Sequence, residues 1–170
     1  NNAKEAKMSL IISKNGKDAQ RLNKTGIEKE DFLQQYIYDN PDAIPVYEID
    51  EDIRLLVLAR EFATNSGPID ALGVDQHGNL YIIETKLYKN PDKRTVVAQA
   101  LDYGASLWRS SFDFSDFTMQ LEKHVQKQFG KSLQEQLEAF FGISGDDVDL
   151  LLENMQKNLN NGTFKFVVLM

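Results

Sequence analysis

The spacing of apolar residues along the chain predicts an α/β protein. Apolar residues recur at helical spacing in five segments, residues 25–38, 92–108, 117–129, 132–141 and 146–160. Short apolar runs bounded by turn residues predict strands over residues 53–62, 69–74, 80–87 and 163–170. The first 26 residues predict a strand around residues 10–12 followed by a loose linker.

The apolar faces of the helices can also be predicted. The first helix is expected to begin with Thr25 as its capping residue and to end before Asn40-Pro41. In later helices, Trp108 is expected in the core and His124 on an exposed face. The apolar face of the first helix is predicted to consist of Ile27, Phe32, Leu33, Tyr36 and Ile37.

Two of the predicted strands flank the turn-rich stretch 75–79 and together predict a β-hairpin. A three-residue loop, 76–78, would place Gly78 where such loops need a left-handed residue, and paired residues would have numbers that sum to twice 77. Side-chain alternation then puts Leu72, Val74, Leu80 and Ile82 on one face, and Ala71, Gly73, Tyr81, Ile83, Thr85 and Leu87 on the other. Both faces are largely apolar, so the hairpin is expected inside a sheet that helices cover on both sides.

The same register brings ionisable residues together. Asp70 would lie opposite Glu84, and Lys86 would project from the same face two residues further on. Two carboxylates with Cβ atoms about 5 Å apart repel each other, so a cation is expected between them. A divalent ion bound by both carboxylates, with an ammonium group beside it, is typical of a metal-dependent phosphodiesterase. The alternative is a strand end at which Lys86 only forms a salt bridge.

Composition narrows the chemistry and the partners. The chain of 170 residues has no cysteine and two histidines, which excludes thiolate and histidine-rich metal sites and favours Mg²⁺ or Mn²⁺. The net charge of −7 argues against nonspecific binding of nucleic acid, so such a partner must meet a local patch. No apolar run is long enough to cross a membrane, and a cytoplasmic location with no membrane partner is expected.

Two motifs resemble a known family. Gly67-Pro68-Ile69-Asp70 followed by Glu84-Thr85-Lys86 resembles the signature of the PD-(D/E)XK nucleases, with one extra residue between the proline and the aspartate. Residues 69–86 together with 97–103 are similar to the catalytic domain of NucS-type and RecB-like endonucleases, and the resemblance covers about residues 28–107. It implies a restriction-endonuclease-like core, in which α-helices flank a mixed central β-sheet with the hairpin at its centre.

The resemblance also implies a catalytic mechanism. Asp70, Glu84 and the main-chain carbonyl of Thr85 would hold Mg²⁺ or Mn²⁺, which would stabilise the pentacovalent phosphate. Lys86 would position the attacking water or help to deprotonate it. The implied reaction is hydrolysis of phosphodiester bonds in nucleic acid, with DNA expected rather than RNA.

Helix residues complete the site that the resemblance implies. Glu30 best fits the position of a further metal ligand from the early helix, with Glu28 and Asp31 as alternatives. Gln99 and Tyr103 match a Gln-x-x-x-Tyr pair that borders the active site, and their spacing of four places them on one helix face.

A basic segment and the domain plan complete the sequence predictions. Lys89, Lys93 and Arg94 are candidates to bind phosphates beside the cut, the alternative being a solvated loop and helix start. One nuclease-like domain is expected, with residues 1–26 peripheral, 27–109 as the catalytic core, and 110–170 as a helical extension and closing strand. The apolar end of the chain is consistent with a fragment of a longer protein. The sequence leaves open a homodimer, an inactive nucleic-acid- or protein-binding module of this fold, and a phosphoesterase for small molecules.

Overall fold

The structure is a computed structural model that describes residues 10–14, 17–22, 30–48, 51–86, 92–109 and 113–169. Its strands are β1 (Leu10–Lys14), β2 (Lys17–Leu22), β3 (Leu55–Thr64), β4 (Gly67–Asp75), β5 (Leu80–Thr85) and β6 (Phe164–Leu169). Its α-helices are α1 (Glu30–Asp39), α2 (Lys93–Arg109), α3 (Phe114–Phe129), α4 (Leu133–Phe141) and α5 (Asp146–Asn161). Two short 3₁₀ helices, Pro41–Ala43 and Val46–Glu48, follow α1. The α/β class predicted from the sequence is confirmed.

The main sheet is mixed and has the order β3-β4-β5-β6. Strands β3, β4 and β5 are antiparallel neighbours, and β6 pairs with β5 in parallel. The hairpin of β4 and β5 therefore lies in the middle of the sheet, as the apolar character of both of its faces predicted. Strands β1 and β2 form a separate antiparallel pair, so the prediction of a linker was wrong for residues 17–22.

The predicted register of the hairpin is confirmed from Ala71↔Ile83 through Val74↔Leu80. The Gly78 backbone is left-handed, with φ 80°, and the carboxylate of Asp75 accepts hydrogen bonds from the backbone N–H groups of His77 and Asn79. The loop is thus fixed by a glycine and an aspartate together.

Each face of the hairpin packs against its own helical layer, as alternation predicted. Leu72, Val74, Leu80 and Ile82 belong to a large apolar cluster that includes residues of α2, α3, α4 and α5. Ala71, Tyr81 and Ile83 belong to a smaller cluster with Ile37 and Tyr38 of α1. The sheet therefore separates an α1 side from an α2 side.

The exposed aromatic residues correct three details of the sequence predictions. Phe32 and Tyr36 of α1 are 59% and 46% exposed, and Tyr38 is buried instead. The face of α1 that meets the sheet follows the helical spacing of Gln34, Ile37 and Tyr38, which apolarity alone does not reveal. Trp108 is also half-exposed, and its indole N–H donates to the carbonyl of Asn160.

Other boundaries differ little from the predicted ones. Helix α1 ends before Asn40-Pro41 as predicted, whereas Thr25 and Ile27 lie outside the described residues. Within the part of the chain that the structure describes, no helix is both long and apolar enough to span a membrane.

Replacing Gly78 with alanine is expected to destabilise the protein more than the same change at Gly130. Both glycines have positive φ, 80° and 67°, so each substitution carries a backbone cost of about 1–2 kcal/mol. A Cβ at Gly78 would also lie 2.7 Å from the Cβ of Asn154 and 2.9 Å from the carbonyl oxygen of Leu151, whereas one at Gly130 meets nothing within 4 Å. Denaturant unfolding measures the difference. Equal losses in the free energy of unfolding would contradict the packing of the hairpin loop on α5.

Candidate active site

Strands β3 and β4 lose their regular alternation next to Asp70. The register pairs Arg60 with Ala71 and Phe62 with Ile69, which leaves Glu61 and Asp70 facing each other between these pairs. Glu61 has φ 51°, a left-handed conformation that is uncommon for a non-glycine residue. Ile69 and Leu72 both pack into the α2-side cluster although they are three residues apart. Asp70 thus departs from the alternating pattern although the pairing stays in register here, and the register shift between β3 and β4 lies between Val57 and Ala59.

Asp70 consequently makes its contacts with β5 and with the α1 side. Its Oδ2 accepts hydrogen bonds from the backbone N–H and from the Oγ1 hydroxyl of Thr85, both at 2.8 Å. Its Oδ1 accepts a hydrogen bond from Nε2 of Gln34 in α1 at 2.7 Å. Strict alternation would have put Asp70 on the Leu72 face together with Glu84, so this part of the sequence prediction was wrong, because the backbone departs from regular alternation at Asp70 and at the facing Glu61.

Gln34 belongs to a polar group centred on Arg60 of β3. The Gln34 Oε1 atom lies 3.4 Å from Nε and 3.3 Å from Nη2 of Arg60. Arg60 also donates to Oε1 of Gln35 at 2.6 Å and forms an ion pair with Asp31, whose side chain is 81% exposed. Asp31, one of the alternative metal ligands, is thus engaged with Arg60.

Glu84 is a fully buried carboxylate at the end of β5. It follows Leu80 and Ile82 on the α2 side of the sheet by alternation, and it is paired in register with Val168 of β6. The Nζ atom of Lys86 lies 3.4 Å from Oε1 of Glu84, and the Lys86 side chain is 21% exposed. Burial of a charge is costly unless it is paired or bound to a cation, and Lys86 provides such a pairing for Glu84.

Thr85 joins the two carboxylate positions through its backbone. Its N–H donates to Asp70, whereas the N–H of the next residue, Lys86, donates to the carbonyl of Leu169 in β6. The N–H and C=O of one strand residue point to the same neighbouring strand. The carbonyl of Thr85 is therefore directed towards the β4 side, where Asp70 lies.

These residues offer a divalent cation a limited set of oxygen ligands. Asp70 already accepts hydrogen bonds from Thr85 and Gln34, so a cation at its carboxylate would have to share the oxygens with these donors. Glu84 and the Thr85 carbonyl would supply the other oxygens, which suit a hard cation such as Mg²⁺ or Mn²⁺. Among the described residues, no group of three or more His, Cys, Asp or Glu side chains is arranged to hold a metal. The predicted metal ligands include only two carboxylates whose side chains the structure describes. The other ligands of a divalent cation would therefore have to be main-chain and solvent oxygens.

Gln99 and Tyr103 lie together on α2. Nε2 of Gln99 donates to the hydroxyl of Tyr103 at 2.6 Å, and Tyr103 is buried. A Cβ built on Gly67 would lie 3.4 Å from the Tyr103 ring, so this pair covers the start of β4, three residues before Asp70. Their common helix face, predicted from the spacing, is confirmed.

The remaining predicted site residues are only partly described. Glu28 and Lys89 lie outside the described residues, and Glu30 and Lys93 begin α1 and α2 without a described side chain. Arg94 is exposed in the first turn of α2, where its backbone N–H donates to Asp92.

A polar cavity of about 330 Å³ adjoins this network at the edge of β3. The sequence predictions did not include it, and they also missed Gln34 and Arg60, although an arginine inside the apolar run of β3 was a signal. His124 is half-buried beside the Phe62 ring, so the expectation that it is exposed was wrong. The cavity is lined by Gln35, Tyr38, Arg60, Glu61, His124, Lys127 and Gln128.

Comparison of the chain with protein-family models, with curated proteins and with solved structures gives no match. Its function is therefore inferred from the residues of the site themselves.

Lowering the pH is expected to destabilise the protein through His124. Burial lowers the pKa of the His124 imidazole below its ordinary value, and the nearby Lys127 ammonium lowers it further. As the pH falls from about 7 to about 5, the unfolded chain binds a proton first, and the stability contributed by the neutral ring is lost as the pH passes through the folded pKa.

The variant His124→Gln should flatten the dependence of Tm on pH over this range. The other histidine, His77, is exposed in the hairpin loop and supplies the control, because His77→Gln should keep the wild-type profile. A wild-type profile for His124→Gln would contradict the effect of burial.

Proposed function

We propose that this chain is a metal-dependent nuclease that hydrolyses phosphodiester bonds of nucleic acid, DNA rather than RNA. One observation carries the proposal. Asp70 is hydrogen-bonded to both the backbone and the side chain of Thr85, the residue between Glu84 and Lys86. Asp70 on the α1 side of the sheet and the Glu84–Lys86 pair on the α2 side thus flank the Thr85 backbone at one end of the central hairpin. Two carboxylates and a main-chain carbonyl are oxygen donors of the kind that a hard cation prefers beside a phosphate.

The architecture supports the same proposal. The β4-β5 hairpin lies in the middle of a four-stranded mixed sheet with helices on both faces, as a restriction-endonuclease-like core requires. The Gln99–Tyr103 pair lies over the beginning of β4, close to the proposed site. Each of these features is general, and their combination in the order of the PD-(D/E)XK motifs supports a nuclease.

In the proposed mechanism, Asp70, Glu84 and the Thr85 carbonyl would hold Mg²⁺ or Mn²⁺. The bound metal would supply Lewis acidity and stabilise charge on the phosphate. Lys86 would orient the attacking water through its Nζ atom, which Glu84 keeps at the site by their ion pair. Gln99 would hold the Tyr103 hydroxyl at the border of the site, where the phenol can contact the substrate backbone.

An inactive binding module of the same fold is the second candidate function. Three protein donors already satisfy Asp70, and Lys86 compensates Glu84, so the site is electrostatically balanced by the chain's own groups. The net charge of −7 also weakens attraction to a polyanion.

The wild-type protein is incubated with single-stranded, duplex and branched DNA, and with RNA. We expect it to cleave DNA in the presence of Mn²⁺ or Mg²⁺ and to lose this activity when EDTA is added. The variants Asp70→Asn, Glu84→Gln and Lys86→Met should each lower the cleavage rate by at least about a hundredfold, because each removes a metal ligand or the water-positioning group. Gel analysis of end-labelled substrates measures the rates.

Exposed residues on α5 provide charge-matched controls. Glu153→Gln and Lys157→Met change the same charges away from the site and should leave the rate unchanged. Metal-independent cleavage, or cleavage that survives Lys86→Met, would overturn the mechanism. Binding of DNA without cleavage by the wild-type protein would favour the inactive module.

A further inference from the structure

The main sheet has two edge strands, and only one of them is interrupted. Edge strands expose unpaired backbone groups, which natural proteins cover or interrupt to prevent pairing with another chain. In β3, Arg60 and the left-handed Glu61 interrupt the apolar run, and residues of α1 and α3 line a cavity beside it. Strand β6, with the sequence FKFVVL, has no proline, no register shift against β5 and a single charge, Lys165. No other described strand pairs with its outer edge.

The outward hydrogen-bonding groups of β6 are centred on Phe166. The carbonyl of Leu169 accepts a hydrogen bond from the N–H of Lys86, so the backbone groups of Leu169 point towards β5. Because this direction alternates along a strand, the N–H and C=O groups of Phe164, Phe166 and Val168 point to the outer edge. An antiparallel second copy of β6, related by a two-fold axis at Phe166, would pair all three residues. Phe166 would pair with its own copy, and Phe164 with Val168.

A half-exposed apolar stripe on α2 lies beside the same edge of the sheet. Gly104 packs against β6, since a Cβ built on this glycine would lie 2.7 Å from Cζ of the Phe166 ring. Helical spacing places Val97, Leu101 and Trp108 on the same helix face as Gly104. These three residues, which we call the α2 stripe, are 49%, 53% and 50% exposed, and Phe166 is 41% exposed. An apolar surface therefore adjoins the open edge of β6.

The two-fold axis would bring the two α2 helices to packing distance. Helix α2 packs on β5 and β6 alike. Antiparallel pairing of β6 with its copy therefore separates the two α2 helices by two strand spacings, about 10 Å, which is a distance at which helices pack. Because Gly104 lies level with the axis at Phe166, Trp108 of one copy faces Leu101 of the other. A peptide strand bound to β6 would leave the α2 stripe exposed, whereas a second copy covers both.

The charges of this surface are compatible with self-association. Among the described side chains, helical spacing adds one charged residue to the α2 stripe, Arg94 in the first turn of the helix. The two copies of Arg94 would lie at opposite ends of the antiparallel helix pair. Lys165 would lie opposite Val167 of the other copy, so the axis sets no lysine against its own copy. Depletion of charge around a tryptophan is typical of the core of a protein interface.

The uncovered area reaches the size of a small interface. An aromatic side chain buries about 150–250 Å², so the exposed parts of Trp108 and Phe166 amount to about 200 Å² per copy. With Val97, Leu101 and the outer edge of β6, two copies would bury about 1,000 Å², the lower limit for a specific interface.

We propose that this chain forms a symmetric dimer in which β6 pairs antiparallel with its copy and the α2 stripe packs on its copy. The two main sheets then continue into one sheet across the axis. The partner of this surface is a second copy of the chain, and the inference does not depend on the proposed catalytic activity.

Sedimentation velocity of the wild-type protein tests the dimer. We expect the mean mass to rise to twice that of one chain as the concentration is raised from about 1 to about 100 µM, since a small interface gives modest affinity. A monomer throughout this range would overturn the proposal and leave the surface to a different partner. Larger oligomers would also overturn it, because a two-fold interface closes after two copies.

Two exposed leucines provide a matched pair of variants. Leu101 is 53% exposed on the α2 stripe, and Leu150 is 56% exposed on α5, outside the surface. Leu101→Lys should raise the dissociation constant of the dimer at least about tenfold, because each copy loses an apolar contact and gains a charge at the interface. Leu150→Lys should leave it within about twofold of the wild type. Equal effects would overturn the proposal, and thermal unfolding checks that both variants fold.

Single-cysteine variants locate the axis, because the chain has no cysteine of its own. Phe166→Cys should form a disulfide-linked dimer on oxidation with copper–phenanthroline, since its two Cα atoms would be about 5.5 Å apart. Phe164→Cys makes the same change on the same strand face, but its two copies would be about 14 Å apart and should not cross-link.

Two outcomes of the cross-linking would overturn the position of the axis. The first is cross-linking of Phe164→Cys as readily as Phe166→Cys. The second is failure of Phe166→Cys to cross-link in a sample that sedimentation shows to be dimeric.

Discussion

The hydrogen bonds that converge on Asp70 constrain the whole candidate site. In a regular antiparallel ladder with the observed register, the N–H of Thr85 would face Ile69, but it donates to the Asp70 carboxylate instead. Because the Thr85 N–H donates to a side chain instead of to the β4 backbone, the ladder between β4 and β5 ends here without leaving that N–H unsatisfied. Gln34 connects the same carboxylate to α1 by a hydrogen bond. Three elements thus meet at one side chain. The left-handed backbone of Glu61 on the neighbouring strand accommodates the turn of β4 towards α1.

The same contacts that define the site also stabilise the fold. A hydrogen bond to a charged group contributes about 1.5–3 kcal/mol, so the three bonds to Asp70 are a sizeable part of the stability of a small domain. The burial of Glu84 acts in the opposite direction, since it removes a carboxylate from water, and Lys86 offsets that cost. An apolar pair at the same positions would pack against the sheet without any desolvation cost.

The sequence predicted what depends on periodicity and on local turn chemistry. The hairpin register followed from two apolar faces and the position of Gly78, and the later helices followed from apolar spacing. The direction of Asp70 was not predicted because it accompanies the left-handed conformation of Glu61 on the neighbouring strand, and no spacing within one strand reveals such a relation. The face of α1 was misjudged because Tyr36 and Tyr38 are equally apolar, and only the sheet decides which one is buried.

The charges around the site bear on how a polyanion could be bound. The two described cations of this network are already engaged, Arg60 with Asp31 and the glutamines of α1, and Lys86 with Glu84. In a chain of net charge −7, their remaining attraction for a phosphate backbone is small. Metal ions bound at Asp70 and Glu84 would reverse the local sign. On the proposed function, the divalent ion would therefore contribute to binding the substrate as well as to the reaction, and affinity for nucleic acid would depend on the metal before any bond is cut.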